Sequence, residues 1–231
     1  MTTHIFLPTV PEIAAIFEEE CTALGAASVD CVQDEARLFA RAVCGPTELV
    51  CAGDEIRGGV ALRVDGPDVF VHPYTLRQIC VNGAIAPAVI GTSRLERIAT
   101  EEIVSAATFT GGLTNELRLA IRSCADSSHV SNAADEMRAL AEMEAAIAIA
   151  MLMHLTLARH LPHEIALTIL DRHASSDDAS AYGLVNAVTS VAREEQDARV
   201  RWDLECIGGE LVARAESFDA NPRRAEVAAG V

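Results

Sequence analysis

The chain has 231 residues, half of them apolar, which is enough to bury a core and excludes a disordered protein. It carries 34 acidic side chains and 18 basic ones, all arginine, for a formal net charge of −16. Residues 1–34 hold six acids and no arginine, residues 35–97 hold seven of each, and residues 98–231 hold 21 acids and 11 arginines. Only the middle segment is therefore expected to offer a basic surface.

The first predicted element is an amphipathic helix. Pro11 stands at the start of a segment, Glu12–Leu24, in which Ile13, Ile16 and Phe17 fall on one face. This pattern is typical of a helix that packs one side against a core.

The middle of the chain predicts strands followed by one helix. A strand is expected over Glu35–Val43, a turn at Cys44–Pro46 and a short extension over Glu48–Cys51. Alternating apolar residues around the Asp65–Asp68 turn signal predict a hairpin over residues 56–72. The next segment, residues 74–82, has apolar residues at helical spacing, and Asn82-Gly83 would end that helix.

The rest of the chain predicts helices, separated by short loops. Their expected bounds are Ser93–Ala107, Leu113–Cys124, Asn132–His160, Pro162–His173, Ser180–Arg193 and Ala198–Cys206. Gly111-Gly112 and Gly208-Gly209 are expected to terminate helices.

The predicted fold class is α+β, with one domain over residues 1–231. An N-terminal helix (1–34) precedes a β-β-β-α unit (35–92), and a mainly helical half (93–231) covers the small antiparallel sheet. No linker or internal repeat divides the chain.

Seven cysteines without a Cys-x-x-Cys pair, and a start without a signal-peptide pattern, predict free thiols and a cytoplasmic location. The most apolar run, Ala145–Met153, is far shorter than the roughly 20 residues of a membrane span. We therefore expect no membrane partner.

Catalytic and metal sites are not indicated. His154 and His160 are six positions apart, about 240° around a helix, so they do not share a ligand face. His72 and Cys80 are residue types of a nucleophilic pair, but Cys80 occupies an apolar position of the predicted helix and is expected to be core. The sequence predicts a non-enzymatic protein without a metal or cofactor.

Four elements carry a family resemblance: Gly53-Asp54, Gly58-Gly59-Val60-Ala61-Leu62, Arg77-x-x-Cys80-x-Asn82-Gly83, and Ala181-Tyr182-Gly183-Leu184-Val185-Asn186-Ala187-Val188-Thr189. In this order they resemble a phage- and plasmid-related family of unknown function carried on mobile elements. The likeness covers roughly residues 35–210. The chain departs from the family in being short and acidic and in lacking its extended ends, which leaves the partner open. The resemblance implies a mobile-element context and no established activity.

The predicted β-β-β-α order also resembles the core of single-strand-annealing recombinases. Those proteins assemble as rings or filaments and hold one DNA strand in a basic groove, so the resemblance implies an oligomer that binds single-stranded DNA. Such binding needs cations along the phosphates and flat side chains for stacking. The candidate nucleic-acid-binding residues are Arg37, Arg41, Arg57, Arg63, Tyr74, Arg77 and Asn82.

Two alternatives stand beside DNA binding. In the first, the arginines of residues 35–97 pair with the acids of the same segment, for example Arg77 with Asp54. The protein would then be an acidic interaction factor, an inhibitor or nucleic-acid mimic acting on host nucleases or defence proteins. Open arginines in one groove would favour DNA binding, whereas paired arginines and a continuous acidic stripe would favour the interaction factor.

Two further contacts are predicted from spacing. Asn186 and Thr189 are polar positions in an otherwise apolar helix, and we expect them to approach Arg77 and Asn82. The Ala- and Met-rich segment Ala141–Met153 either is a wholly buried helix or packs one face against a second copy of the chain.

Overall fold

The structure is a computed structural model that describes residues 8–66, 68–79, 81–87, 93–96 and 106–215. It contains an antiparallel sheet in the first half of the chain and helices in the second. The predicted α+β class with a mainly helical C-terminal half is confirmed.

The strands within the described residues are β1 Ser28–Gln33, β2 Arg37–Cys51, β3 Asp54–Asp65, β4 Asp68–Arg77, β5 Asn82–Ile85 and β6 Ser93–Glu96. The helices there are α1 Val10–Ala23, α2 Ala106–Cys124, α3 Ser127–Ala141, α4 Ala146–Ala158, α5 His163–Ala174, α6 Ala181–Glu194 and α7 Ala198–Ala213. The sheet order is β1-β2-β3-β4-β5, and β6 pairs antiparallel with β4.

The chain forms two compact units, each assembled from separate stretches. Unit 1 takes its described residues from Met1–Glu48, Ile56–Leu76 and Ala86–Val130, and unit 2 takes them from Leu49–Glu55, Arg77–Ile85 and Ser131–Val231. The chain therefore passes from one unit to the other within β2, β3 and β4. The single domain over residues 1–231 stays a prediction.

In unit 1, α1 begins at a capping box. The Thr9 hydroxyl accepts a hydrogen bond from the Glu12 amide, and the Thr9 amide donates to the Glu12 carboxylate at 2.7 Å. The helix then buries Ile13, Phe17 and Cys21 on one face. The predicted N-terminal helix is confirmed.

The core of unit 1 combines the inner faces of α1, β2, β3, β4 and α2. Its buried members are Val10, Ile13, Phe17, Cys21, Leu38, Ala40, Ala42, Val60, Leu62, Val64, Val69, Val71, Leu117, Ala120, Ile121 and Cys124. Aliphatic side chains dominate this set, as the low aromatic content requires.

The predicted turn at Cys44–Pro46 is wrong, because β2 runs through it without interruption. A Cβ atom on Gly45 would lie only 2.8 Å from the Cα atom of Gly58. Gly45 therefore permits close approach of two strands rather than a reversal of the chain. The structure also adds β1, which the sequence pattern did not indicate; it pairs antiparallel with β2.

The hairpin is confirmed, since β3 and β4 flank a turn at Gly66, whose φ is +57°. The helix predicted for residues 74–82 is wrong, and with it the β-β-β-α unit. The backbone stays extended to Arg77, and the Gln78 amide donates to the Glu55 carbonyl at 2.9 Å. Ile79 is 59% exposed, so the apparent helical spacing did not mark a buried face.

Several helix boundaries of the second half differ from expectation. The single helix predicted over Asn132–His160 is interrupted between α3 and α4, where the Ala181 amide donates to the Met143 carbonyl at 2.9 Å. The helix predicted from Ser93 is wrong at its start, which is β6, and residues 97–105 lie outside the described part.

The predicted helices α5 and α6 are confirmed, and Ser180 caps α6 by accepting a hydrogen bond from the Gly183 amide. The glycine pairs do not terminate helices, because α2 continues through Gly112 and α7 through Gly208. A Cβ atom on Gly208 would lie 2.8 Å from Thr189 Cγ2, so this glycine allows α7 to pack closely on α6.

Helix α4 is apolar on most of its surface but is not wholly buried. Leu152 is fully buried, whereas Ile147 is 51% and Leu157 is 75% exposed. The reading of this segment as a wholly buried helix is therefore wrong. None of the helices in the described part of the chain has the length and apolar character that a membrane span requires.

A buried carboxylate in unit 1 should make stability depend on pH. Glu20 is 3% exposed and accepts hydrogen bonds from Arg122 and Arg118, which lower its pKa from the ordinary 4.5. Its stabilising contribution is therefore complete above pH 4.5 and is lost as the pH falls through the lowered value. We expect Glu20→Gln to reduce the free energy of unfolding by about 1–3 kcal/mol at neutral pH, a deficit that narrows in acid.

Urea denaturation of the wild-type protein and of Glu20→Gln, from neutral pH to below pH 4.5, measures the difference in their free energy of unfolding. Glu18→Gln removes an exposed carboxylate from the same helix and serves as the control, with no pH-dependent deficit expected. A loss of stability in Glu20→Gln that is the same at every pH would contradict the lowered pKa assigned to Glu20.

Candidate functional site

A buried cluster in unit 2 joins the first residue of β3, the last residue of β4 and the second residue of α6. Asp54, 2% exposed, accepts two hydrogen bonds of 2.7 Å from Arg77, one from Nε to Oδ1 and one from Nη2 to Oδ2. The Tyr182 hydroxyl donates to Asp54 Oδ2 at 3.0 Å. We call Asp54, Arg77 and Tyr182 the Asp54 cluster.

The Asp54 cluster is held by charge and by ring geometry. The paired bonds between carboxylate and guanidinium are the strong, directional form of an ion pair. The guanidinium carbon of Arg77 also lies 5.6 Å from the centroid of the Tyr182 ring, within cation–π range. Burial and the nearby Asp54 carboxylate raise the pKa of Tyr182, so the phenol stays protonated and keeps donating.

Arg77 also lines a cleft of 370 Å³ in unit 2, which we call the unit 2 cleft. Its other lining residues are Asn82, Arg172, Ser176, Asp177, Asp178, Gly183, Asn186, Ala187 and Ser190. Four of these follow one face of α6 at the i, i+3, i+4 and i+7 spacing of neighbouring turns. The volume falls within the range of small-molecule sites.

Two asparagine side chains of the unit 2 cleft have unused hydrogen-bonding capacity. Asn82 is only 4% exposed, and its buried Oδ1 atom has no hydrogen-bond partner among the described residues. Asn186 is half-buried, and its side-chain amide makes no hydrogen bond to another described residue. Buried polar atoms are nearly always paired, so Asn82 calls for a specific explanation.

The residue before Asn82 has a strained backbone. Val81 has a φ of +53°, in the left-handed region that β-branched residues rarely occupy. Its side chain is 58% exposed, so core packing does not account for this conformation. Strain of this kind concentrates at functional sites.

The far wall of the unit 2 cleft is built from α5, the loop that follows it and α6. Arg172 donates to both carboxylate oxygens of Glu194, at 2.8 and 2.7 Å, and to Ser190 Oγ at 2.7 Å. A Cβ atom on Gly183 would lie 2.1 Å from the carbonyl oxygen of Asp178, so only glycine allows the loop to approach α6 this closely.

Comparisons with protein-family models, with curated proteins and with solved structures find no match to this chain. The resemblance to the phage- and plasmid-related family stays a prediction.

The structure does bring together residues from three of the four elements that carried the resemblance. Asp54 comes from the first, Arg77 and Asn82 from the third, and Tyr182 and Asn186 from the fourth. The predicted approach of Asn186 to Arg77 and Asn82 is confirmed.

The approach predicted for Thr189 is wrong, since its hydroxyl donates to the Val185 carbonyl of its own helix. Cys80, predicted to be core, lies outside the described residues.

The other predicted nucleic-acid-binding arginines belong to unit 1 and have partners there. Arg37 pairs with Asp34 at 2.8 Å, and Arg41 is only 3% exposed, opposite Asp30 at 3.9 Å. The guanidinium of Arg57 donates to a backbone carbonyl at 3.0 Å. These groups are already engaged within the chain.

The last two candidates in unit 1, Arg63 and Tyr74, also make their contacts within the chain. Arg63 pairs with Asp65, and its guanidinium carbon lies 5.9 Å from the ring centroids of both Phe39 and Phe70. Tyr74 is 4% exposed, so its ring belongs to the core and presents no stacking surface.

Sequence reasoning missed one wall of the unit 2 cleft, namely Arg172, Ser176, Asp177, Asp178 and Ser190. One signal was available, because Ser190 follows Asn186 by four positions and extends the polar stripe of α6. The α5 residues carry no comparable pattern. Within the described residues, no group of His, Cys, Asp and Glu side chains has an arrangement that could hold a metal ion.

Proposed function

We propose that the protein is a non-catalytic, acidic interaction factor that binds basic surfaces of partner proteins, including the nucleic-acid-binding surfaces of host nucleases or defence proteins. One observation carries the proposal. Among the arginines whose side chains are described, only Arg199 has a side chain that makes no interaction with another described residue. The other described arginine side chains are already engaged within the chain.

Negative charge is left over at the surface. Several exposed carboxylates of unit 2 make no hydrogen bond or ion pair to a described residue: Glu142, Glu144, Glu164, Asp171 and Asp177. With a net charge of −16, these groups give the protein a potential that attracts cationic surfaces and repels polyanions.

Binding of single-stranded DNA stays a prediction with weaker support. A DNA strand gains affinity when arginines neutralise its phosphates and release counterions. Here Arg63 and Arg77 would first have to give up Asp65 and Asp54, and the Arg57 guanidinium would lose its carbonyl. Each new contact with a phosphate would replace a hydrogen bond that the arginine already makes, so little free energy of binding would be gained.

A binding titration compares the two functions. Labelled arginine-rich peptide, single-stranded DNA and duplex DNA are titrated with the full chain at about 0.02 M and 0.15 M salt, which differ in electrostatic screening. We expect the peptide to bind and to weaken at the higher salt, while neither DNA binds. An acidic peptide of equal length is the control.

Tight binding of single-stranded DNA, or equal binding of the acidic and basic peptides, would overturn the proposed function. Size measurement in the same samples tests the predicted homo-oligomer.

A further inference from the structure

We propose that the unit 2 cleft is a binding site for an arginine side chain of a partner protein. This inference rests on the proposed function, because it names the part of a basic surface that the protein would recognise and the place where it would do so. It is carried by the charge balance of the cleft and by the unpartnered oxygen of Asn82.

The charge balance favours a cation. Both arginines of the cleft are neutralised by bidentate pairs, Arg77 by Asp54 and Arg172 by Glu194. The carboxylate of Asp177 has no partner among the described residues.

Among the described residues, the donors to the carboxylate of Asp178 are neutral, namely the amide and hydroxyl of Ser180. Within the described part of the chain, these two carboxylates therefore have no cationic partner at the cleft. A phosphate group would be repelled there, and a cationic side chain would be attracted.

The hydrogen-bonding pattern favours a donor. A buried acceptor without a donor costs about 1–3 kcal/mol, and Asn82 Oδ1 is such an acceptor. A ligand N–H that reaches it recovers this cost on binding. Asn186 offers a second amide oxygen along the same cleft, with no competing partner among the described residues.

Guanidinium matches this set of acceptors better than ammonium does. It presents five N–H donors in one plane and sheds its hydration more readily, whereas the lysine ammonium is a compact, strongly hydrated charge. The cleft volume of 370 Å³ leaves room for a full arginine side chain with adjoining peptide.

The primary test measures binding of single residues to the full chain by calorimetry or ligand-observed NMR. The probes are N-acetylarginine amide, N-acetyllysine amide, N-acetylnorleucine amide and adenosine monophosphate. We expect a dissociation constant of about 1 mM for the arginine probe, weaker binding of lysine, and no binding of norleucine or the nucleotide. Nucleotide binding stronger than arginine binding would overturn the assignment.

Variants of the chain test whether the arginine probe binds in the unit 2 cleft. Asp177→Asn removes an exposed charge that makes no bond to another described residue, and we expect it to weaken arginine binding about threefold. Asn186→Leu removes a half-buried acceptor and should weaken binding about fivefold. Asp171→Asn removes a similar exposed charge on α5 outside the cleft lining and should leave the affinity unchanged. Equal affinities in all four proteins would refute this site.

The two proposals fail in distinguishable ways. If the arginine-rich peptide binds wild type, Asp177→Asn and Asn186→Leu equally, the acidic interaction factor stands and the cleft assignment falls. If the single arginine probe binds and responds to these variants while no basic peptide does, the cleft assignment stands and the proposed function falls.

Discussion

Replacing Asp54 with alanine is expected to lower the free energy of unfolding by about 3–5 kcal/mol, the cost of breaking a buried ion pair by removing one partner. Asp54 is 2% exposed, and its carboxylate accepts hydrogen bonds from Arg77 and Tyr182. Its loss leaves the Arg77 guanidinium, 21% exposed, without its counter-ion and the Tyr182 hydroxyl without its acceptor. Chemical denaturation of the full chain at neutral pH measures the change.

One further variant measures the part of this loss that comes from Tyr182, and another serves as the control. Tyr182→Phe removes only the 3.0 Å hydrogen bond and should cost about 1 kcal/mol. Asp171→Ala removes an exposed carboxylate without a partner among the described residues and should change stability by less than about 0.5 kcal/mol. If Asp54→Ala were as harmless as Asp171→Ala, the Asp54 cluster would contribute nothing to the fold of unit 2.

Replacing Gly59 with alanine is expected to destabilise the protein by about 3 kcal/mol, at the upper end of overpacking effects. A Cβ atom at this position in β3 would lie 2.0 Å from the Ala42 carbonyl oxygen of β2. Main-chain atoms cannot move away as a flexible side chain can, so the two strands would have to separate. Thermal and urea denaturation should report the loss together.

Gly112 provides the matched control, because it also lies within a regular element, but an added Cβ would have no described atom within 4 Å apart from its chain neighbours and the nearby backbone of its own helix. Alanine favours a helix over glycine, so Gly112→Ala should raise the free energy of unfolding by about 0.5–1 kcal/mol. A stabilising Gly59→Ala, or a destabilising Gly112→Ala of similar size, would contradict the close strand approach.

The predictable parts of the fold are those with strong local signals. Proline and an apolar stripe predicted α1, the Asp65–Asp68 turn signal predicted the β3–β4 hairpin, and Ser180 predicted the start of α6. In each case the local preference and the tertiary contacts agree. The α+β class follows from these elements together.

The errors arise where a local pattern had two physical meanings. Gly45 and Gly208 were assigned to a turn and a helix end, yet each permits close packing between two elements, β2 with β3 and α6 with α7. Residues 74–82 have apolar spacing that fits a helix, but β4 gains its hydrogen bonds from a neighbouring strand instead. Such partners cannot be read from a window of nearby residues.

The candidate site was predicted only in part for the same reason. Arg77, Asn82 and Asn186 were singled out, and Asp54 was named as a partner of Arg77. Tyr182 joins them because α6 places it against β3, and the α5 wall follows from helix packing alone. Sequence spacing does not determine those positions.

The discontinuity of unit 2 has a consequence for synthesis of the chain on the ribosome. Arg77 follows Asp54 by 23 positions, but Tyr182 follows it by 128. Domains fold as units once their residues have emerged. Asp54 and Arg77 are therefore synthesised long before Tyr182, the last member of the cluster, and a fragment beginning at Ser131 would contain α6 and α7 but neither member of the ion pair.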